Sequence, residues 1–218
     1  RLPIGNHEIH VNNLLGKTIE FEFNDKGYQF SCSNFWGKEW AYQEIHRMIL
    51  NGPPNNLDHR IRQIFKNYEF SFYEKTSKLA LTWEQIRRMS EDPLVEIGAH
   101  TIHHQALNKL SEPVVQKEME GSRDKIELKT SQKVEHFSYP FGTSREVGHR
   151  EFRIAKKCGF KTSTTSSIGN IFPEHEGLLN QLPRIPINQK RDNGKIDYLK
   201  LWLNGVLPCC VNKLKRVV

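Results

Sequence analysis

One stretch decides how this chain folds: Val95-Glu96-Ile97-Gly98-Ala99-His100-Thr101-Ile102-His103-His104. Apolar residues at three alternate positions indicate a half-buried strand, although so short a run is also compatible with a buried helical turn. A strand here delivers His100 to its C-terminal end, where α/β folds gather their ligand-binding and catalytic groups. If the chain turns helically after the strand, His100 and His104 lie on one face and can share a metal ion.

The histidine pair by itself has a second interpretation. The chain holds 10 histidines in 218 residues, so chance alone can place two of them four residues apart, in a polar turn with surface histidines. Two flanking segments favour a metal site over a polar turn with surface histidines. Leu81-Thr82-Trp83-Glu84-Gln85-Ile86 precedes the pair, and His136-Phe137-Ser138-Tyr139-Pro140-Phe141-Gly142 follows it. Several motifs in a fixed order are more specific than any one of them.

Together these segments resemble the polysaccharide deacetylase family, the NodB-homology carbohydrate esterases of family 4. The second motif of that family, His-Ser/Thr-x-x-His, corresponds to residues 100–104, and the aromatic-Pro-Phe-Gly third motif corresponds to residues 139–142. The resemblance runs from about Leu81 to Ile187. It implies a distorted (β/α) barrel and a metal-dependent hydrolase that removes N- or O-linked acetyl groups from a polysaccharide or oligosaccharide substrate.

The resemblance implies roles for four residues in the chemistry. His100 and His104 are two ligands of a divalent metal, and neutral imidazoles suit zinc, cobalt and nickel alike, with zinc expected first. The backbone N–H of Phe141 matches the position that holds the oxyanion, although a Pro-Phe-Gly sequence is also a simple tight turn. Arg184 belongs to a late strand motif and is expected to reach the site.

Three further residues are assigned to substrate binding, namely Tyr139, Pro140 and Trp83. Trp83 offers an aromatic surface for sugar stacking, but it stands at a predicted helix start, where a core role is the alternative. His103 lies inside the histidine cluster, and we interpret it as a surface or second-shell residue in preference to a ligand.

Parts of the family pattern are missing. The third metal ligand and the general base are aspartates of a Thr-Phe-Asp-Asp motif, which residues 23–27 match only superficially, because a β-hairpin explains them better. The Leu-x-His motif of the general acid is absent, since no histidine follows His175, and Ser138 stands where many members have arginine. We therefore expect the two aspartates to lie upstream of Arg1. Without them, we expect the 218 residues from Arg1 onward to be inactive. The alternative is an inactive, deacetylase-like carbohydrate-binding domain.

The pattern divides the chain into two parts. Residues 1–78 are predicted to form an inserted subdomain, with a β-hairpin (20–32) and helices over 38–50 and 57–68. Residues 79–218 are predicted to hold the C-terminal part of the barrel. Their strands, at about 95–99, 134–139, 160–166 and 182–187, alternate with helices, which is typical of a parallel α/β sheet.

Composition excludes some classes. The net charge of +7 comes from scattered basic residues, without the aromatic or helical motifs of a nucleic-acid binder. No apolar run approaches the length of a membrane span, and no signal peptide is visible after Arg1. The compartment therefore stays open between a bacterial cell envelope and the cytoplasm. The four cysteines match neither a zinc ribbon nor a disulfide framework.

Overall fold

The computed structural model describes residues 2–4, 7–9, 18–50, 57–66, 77, 79–186 and 196–213. The chain divides into two compact units, Arg1–Thr82 and Trp83–Val218. The identification of the first part as an insertion, with its boundary after residue 78, stays a prediction.

The described part of the first unit includes two antiparallel strand pairs and two helices with named bounds. Strands β1 (Leu2–Ile4) and β2 (His7–Ile9) pair with each other, as do β3 (Thr18–Phe23) and β4 (Lys26–Ser31). Asn24 and Asp25 connect β3 to β4 with positive φ angles of 51° and 59°, the backbone that a two-residue hairpin turn requires. The predicted hairpin is confirmed.

Helices α1 (Phe35–Leu50) and α2 (Leu57–Ile64) share the core of this unit with the hairpin. β3 buries every second residue, and α1 and α2 cover that face with Ile45, Ile49 and Ile61. Both helices were predicted. The predicted extension of α2 to Tyr68 lies partly outside the described residues.

The second unit alternates helices with short parallel strands. The helices are α3 (Trp83–Ser90), α4 (Glu112–Thr130), α5 (His149–Lys157), α6 (Ile196–Leu203) and α7 (Val206–Val211), and the strands are β5 (His136–Ser138), β6 (Thr162–Ile168) and β7 (Leu182–Arg184). The strand order is β5-β6-β7, and both pairs are parallel. The predicted α/β class with a parallel sheet, as in part of a (β/α) barrel, is confirmed.

The decisive stretch joins this sheet at one point. Ala99 forms a parallel bridge with Phe137, in which its N–H donates to the His136 carbonyl at 2.8 Å and its carbonyl accepts from the Ser138 N–H at 2.9 Å. Residues 95–98 lead into this bridge without a hydrogen-bonded ladder, so the predicted strand is shorter than expected. Its burial alternates as the sequence indicates, and His100 leaves the sheet beside the end of β5.

Two glycines shape the helix ends of this unit. Gly159 has φ +83° just after α5, as expected of a residue that ends a helix in the left-handed region. Gly205, at φ +78°, separates α6 from α7. Within the described residues, no helix combines the length and apolar character needed to cross a membrane.

Candidate functional site

The loop after Ala99 brings two imidazoles together. The ring centroids of His100 and His104 lie 4.8 Å apart at an interplanar angle of 70°. The helical turn considered from the sequence is absent, because Thr101 and His104 have positive φ angles of 64° and 52°. The Thr101 hydroxyl accepts the His104 N–H at 3.0 Å and closes the loop.

His100 has a fixed ring orientation. Its Nδ1 lies 2.6 Å from the carbonyl oxygen of Ser138, and a carbonyl only accepts, so Nδ1 carries the proton. Nε2 therefore keeps its lone pair. A backbone carbonyl that orients a histidine in this way is a usual second-shell partner in metal sites.

His104 is the more enclosed of the two. Its Nδ1 is buried and has no hydrogen-bond partner in the described part of the chain, and its ring packs edge-on against Phe141 at 4.9 Å between centroids. Burial, and then the neighbouring His100, lower the pKa of His104 and favour the neutral imidazole. A buried polar atom without a partner is uncommon in a folded protein and points to a missing ligand.

The Pro-Phe-Gly turn lies beside these rings. Phe141 and Gly142 both have positive φ angles, 60° and 67°. The Ser166 hydroxyl donates to the Phe141 carbonyl, and the Ser166 N–H donates to the Gly142 carbonyl at 2.8 Å. A Cβ on Gly142 would lie 2.8 Å from the Ser166 nitrogen, so this position requires glycine for space as well as for φ.

Two predicted residues meet at this turn. Among the described residues, the N–H of Phe141 has no hydrogen-bond acceptor. The guanidinium of Arg184 donates to the Ser166 hydroxyl at 3.0 Å. Arg184 therefore reaches the third-motif turn through Ser166, a residue that sequence reasoning missed because nothing in its threonine- and serine-rich strand distinguishes it.

The residues assigned to substrate binding have different environments. Tyr139 is 2% exposed and its hydroxyl donates to the Asn180 carbonyl at 2.7 Å; burial raises its pKa. Pro140 is also fully buried. Both are buried, and Tyr139 belongs to the core of the second unit. Trp83 is 38% exposed, with the Lys125 Nζ 5.9 Å from the centre of its ring.

Sequence reasoning also missed Glu118. This carboxylate lies on α4 and accepts hydrogen bonds from the Ile102 N–H, the His103 N–H and the His103 ring. His103 thus faces Glu118, and its interpretation as a surface or second-shell residue stays a prediction. No local motif marks a partner so distant in sequence.

The two histidines fit a divalent metal. His100 Nε2 has a free lone pair, and the buried His104 Nδ1 lacks a partner, so both offer neutral nitrogen ligands of the kind that zinc, cobalt and nickel accept. Within the described ranges, no third histidine, cysteine or carboxylate joins them, whereas Glu96, Glu135 and His136 form a separate group. The two predicted ligands are therefore adjacent, and a third is not among the described residues.

The sequence model for polysaccharide deacetylases matches residues 51–163, which is slightly more than half of the chain. The chain therefore belongs to the polysaccharide deacetylase family.

Several solved structures are similar to parts of the chain. The deacetylase PplD of Streptococcus pyogenes, in complex with acetate, is 24% identical with a TM-score of 0.46, over 61% of this chain and 59% of its own. A polysaccharide deacetylase from Bacillus cereus is 20% identical with a TM-score of 0.43, over 59% and 42%. The BpsB deacetylase domain of Bordetella bronchiseptica is 18% identical with a TM-score of 0.41, over 48% of each chain. The chain thus spans at most about three fifths of these proteins. The curated proteins contain no match.

Proposed function

We propose that the protein is a metal-dependent carbohydrate deacetylase that removes acetyl groups from a polysaccharide or oligosaccharide. One observation carries the proposal: His100 and His104 present unengaged nitrogens at the C-terminal ends of parallel strands, beside the unengaged N–H of Phe141. Membership of the polysaccharide deacetylase family supports this activity.

His100 and His104 would hold the metal. Burial favours the neutral imidazole of His104, and the Nδ1–H bond of His100 to Ser138 leaves Nε2 as the nitrogen that would bind the metal. A divalent cation bound there would supply a water of lowered pKa and polarise the acetyl carbonyl. The partial enclosure of His104 keeps its nitrogen from competing water.

Phe141 would stabilise the charge that develops on the acetyl oxygen. Its N–H is free, and the turn that holds it is fixed from behind by Ser166 and Arg184. Such a preorganised donor costs nothing to reorient during the reaction, and its loss is typically worth about 3 kcal/mol in the transition state. We propose that Arg184 supports the turn and that Trp83 contributes an aromatic surface to substrate binding.

A carboxylate is still needed as third ligand and as general base. We propose that aspartates outside the described residues supply both, as the first motif of the family implies. Zinc is the expected metal, because two imidazoles and a carboxylate form a known catalytic zinc set.

The test compares zinc binding and acetate release in the full protein. Three proteins are compared: the natural sequence, the double variant His100→Ala with His104→Ala, and His149→Ala. Zinc binding is measured by titration calorimetry. Acetate release is measured from an N-acetylglucosamine oligomer and from an O-acetylated xylan oligomer. His149 is an exposed histidine of the same unit and serves as the matched control. We expect only the double variant to lose both zinc binding and acetate release. The N-acetylglucosamine oligomer reports amide hydrolysis, and the O-acetylated xylan oligomer reports ester hydrolysis.

The second candidate is a catalytically inactive, carbohydrate-binding relative. The absence of a carboxylate beside the two histidines in the described part of the chain favours it. In that case the natural sequence would bind the oligomers without releasing acetate, and a chelator would leave that binding unchanged. This result would overturn the deacetylase proposal.

A further inference from the structure

Glu118 occupies an unusual position for a carboxylate. It lies in the middle of α4 with 6% of its surface exposed. Its Oε2 accepts the N–H groups of Ile102 at 3.1 Å and His103 at 2.9 Å, while Oε1 lies 2.6 Å from the His103 Nδ1. All three donors belong to the loop between the two histidines of the candidate metal site.

The buried charge of Glu118 depends on this loop. A carboxylate removed from water is costly unless hydrogen bonds satisfy its oxygens. In the described residues the side chain that hydrogen-bonds to Glu118 is the ring of His103, and no lysine or arginine joins them. Because two of the three donors are main-chain N–H groups, the carboxylate specifies the path of the backbone as well as the position of a side chain.

A second contact fixes the same loop to α4. The side chain of Ile102 lies over Gly121, one turn after Glu118, so closely that a Cβ on Gly121 would be 2.6 Å from the Ile102 Cδ1. The loop therefore rests directly on the helix backbone. Its conformation is set from α4 by one polar contact and one apolar contact.

The loop needs this support because its backbone is strained. Thr101 and His104 both occupy the left-handed region, which is unfavourable for non-glycine residues and persists where neighbouring contacts impose it. Glu118 binds the two residues between them. We propose that Glu118 is a positioning residue, which holds the 101–104 loop in the conformation that keeps His100 and His104 adjacent. The part of this inference that concerns metal binding rests on the proposed function.

A matched residue separates positioning from general stability. Glu151 is also a buried carboxylate, 2% exposed, and it accepts the Gly148 N–H at 2.8 Å at the start of α5. It makes no contact with the histidine loop among the described residues. Glu118→Met and Glu151→Met both remove a buried carboxylate, and methionine fills the space in each case.

The variants are compared by two measurements. Hydrogen exchange of the Ile102 and His103 amides is expected to accelerate about tenfold or more in Glu118→Met, because each loses a hydrogen bond. Zinc affinity is expected to fall about 10- to 100-fold, as for the loss of other residues that orient metal ligands. Glu151→Met is expected to leave both quantities within about twofold, since additivity holds for distant sites.

A conservative variant tests whether hydrogen bonding is the cause. In Glu118→Gln the amide oxygen can accept both backbone N–H groups, and the amide NH2 can donate to His103 Nδ1 in its other tautomer. Exchange and zinc affinity should therefore stay close to those of the natural sequence. If Glu118→Met does not fold, Glu118→Asp replaces it, because its carboxylate is one methylene short of the loop and should show the same loss of protection.

The outcomes separate this inference from the proposed function. Equal weakening of zinc binding by Glu118→Met and Glu151→Met would reduce Glu118 to a stability residue and overturn the inference. If the natural sequence binds no zinc, the metal proposal fails, and hydrogen exchange still decides on Glu118. Faster exchange at Ile102 and His103 then supports positioning, and unchanged exchange contradicts it.

Discussion

The parallel strands of the second unit carry a cluster of metal-ligand-type side chains at each end, and the two clusters differ in how well their polar atoms are satisfied. At the C-terminal ends, His100 Nε2 and the buried His104 Nδ1 have no hydrogen-bond partner in the part of the chain that the structure describes. At the N-terminal ends, His136 is bound on both sides, with Nδ1 2.6 Å from the Thr162 hydroxyl and Nε2 2.9 Å from Glu96.

The N-terminal cluster has the better set of metal-ligating side chains. Glu96, Glu135 and His136 offer ligand atoms within 4.8 Å of one another. Yet Lys133 and Lys161 already neutralise Glu135, and their hydrogen bonds lower its pKa to about 2. Proximity of ligand-type residues is therefore a weaker sign of a functional site than unsatisfied lone pairs.

The largest expected effect is a difference in zinc affinity between variants of the two clusters. His104→Ala should lower zinc affinity by about 100-fold or more, whereas His136→Ala should leave it within about twofold. Conversely, His136→Ala should cost about 1–2 kcal/mol in the free energy of unfolding, because it removes two satisfied bonds. Calorimetry with zinc and urea denaturation measure the two quantities. A loss of zinc binding in His136→Ala would instead place the metal at the N-terminal ends of the strands and contradict the proposed site.

The next effect compares Gly142, in the turn after β5, with Gly159, just after α5. Gly142→Ala should lower the free energy of unfolding by about 3 kcal/mol, since alanine pays for its positive φ and collides with Ser166. At Gly159 only the positive φ is unfavourable for alanine, because nothing lies within 4 Å of its Cβ position. Gly159→Ala should therefore lower the free energy of unfolding by about 1 kcal/mol. Urea denaturation of both variants tests this order. Equal losses would mean that the turn at Gly142 can move away from β6.

The smallest effect concerns the pH dependence of the N-terminal cluster. The folded-state pKa of Glu135 is lowered from 4.5 to about 2. Its stabilising effect is therefore complete above about pH 4.5 and disappears as the pH falls toward 2. The difference in unfolding free energy between the natural sequence and Glu135→Gln should shrink over that range, and Glu176→Gln, at an exposed position, serves as the control. A constant difference down to pH 2 would contradict the lysine pairing.

The elements that local rules specify were predictable. The hairpin follows from two alternating runs around Asn24 and Asp25, which tolerate positive φ. The end of α5 follows from Gly159, and the parallel class follows from strands alternating with helices. In each case the decisive information lies within a few residues, so one sequence suffices.

The interior of the site was less predictable, because distant contacts determine it. The 101–104 loop departs from a helical turn, and two of its backbone N–H groups bind Glu118, which lies 16 and 15 positions downstream of them. Tyr139 resembles a substrate-facing aromatic in sequence, but it packs against Phe137 and Phe152 and is buried. The adjacency of His100 and His104 was expected, and the backbone that produces it was not.

The hydrogen bond between His100 and Ser138 has a consequence for how this sequence can drift. The acceptor is a main-chain carbonyl, and the neighbouring Ser138 N–H is held by the bridge to Ala99. Almost any residue at position 138 can therefore place the proton of His100 correctly, apart from proline, which would break the bridge. The side chain at position 138 can therefore be exchanged without changing which nitrogen of His100 carries the proton.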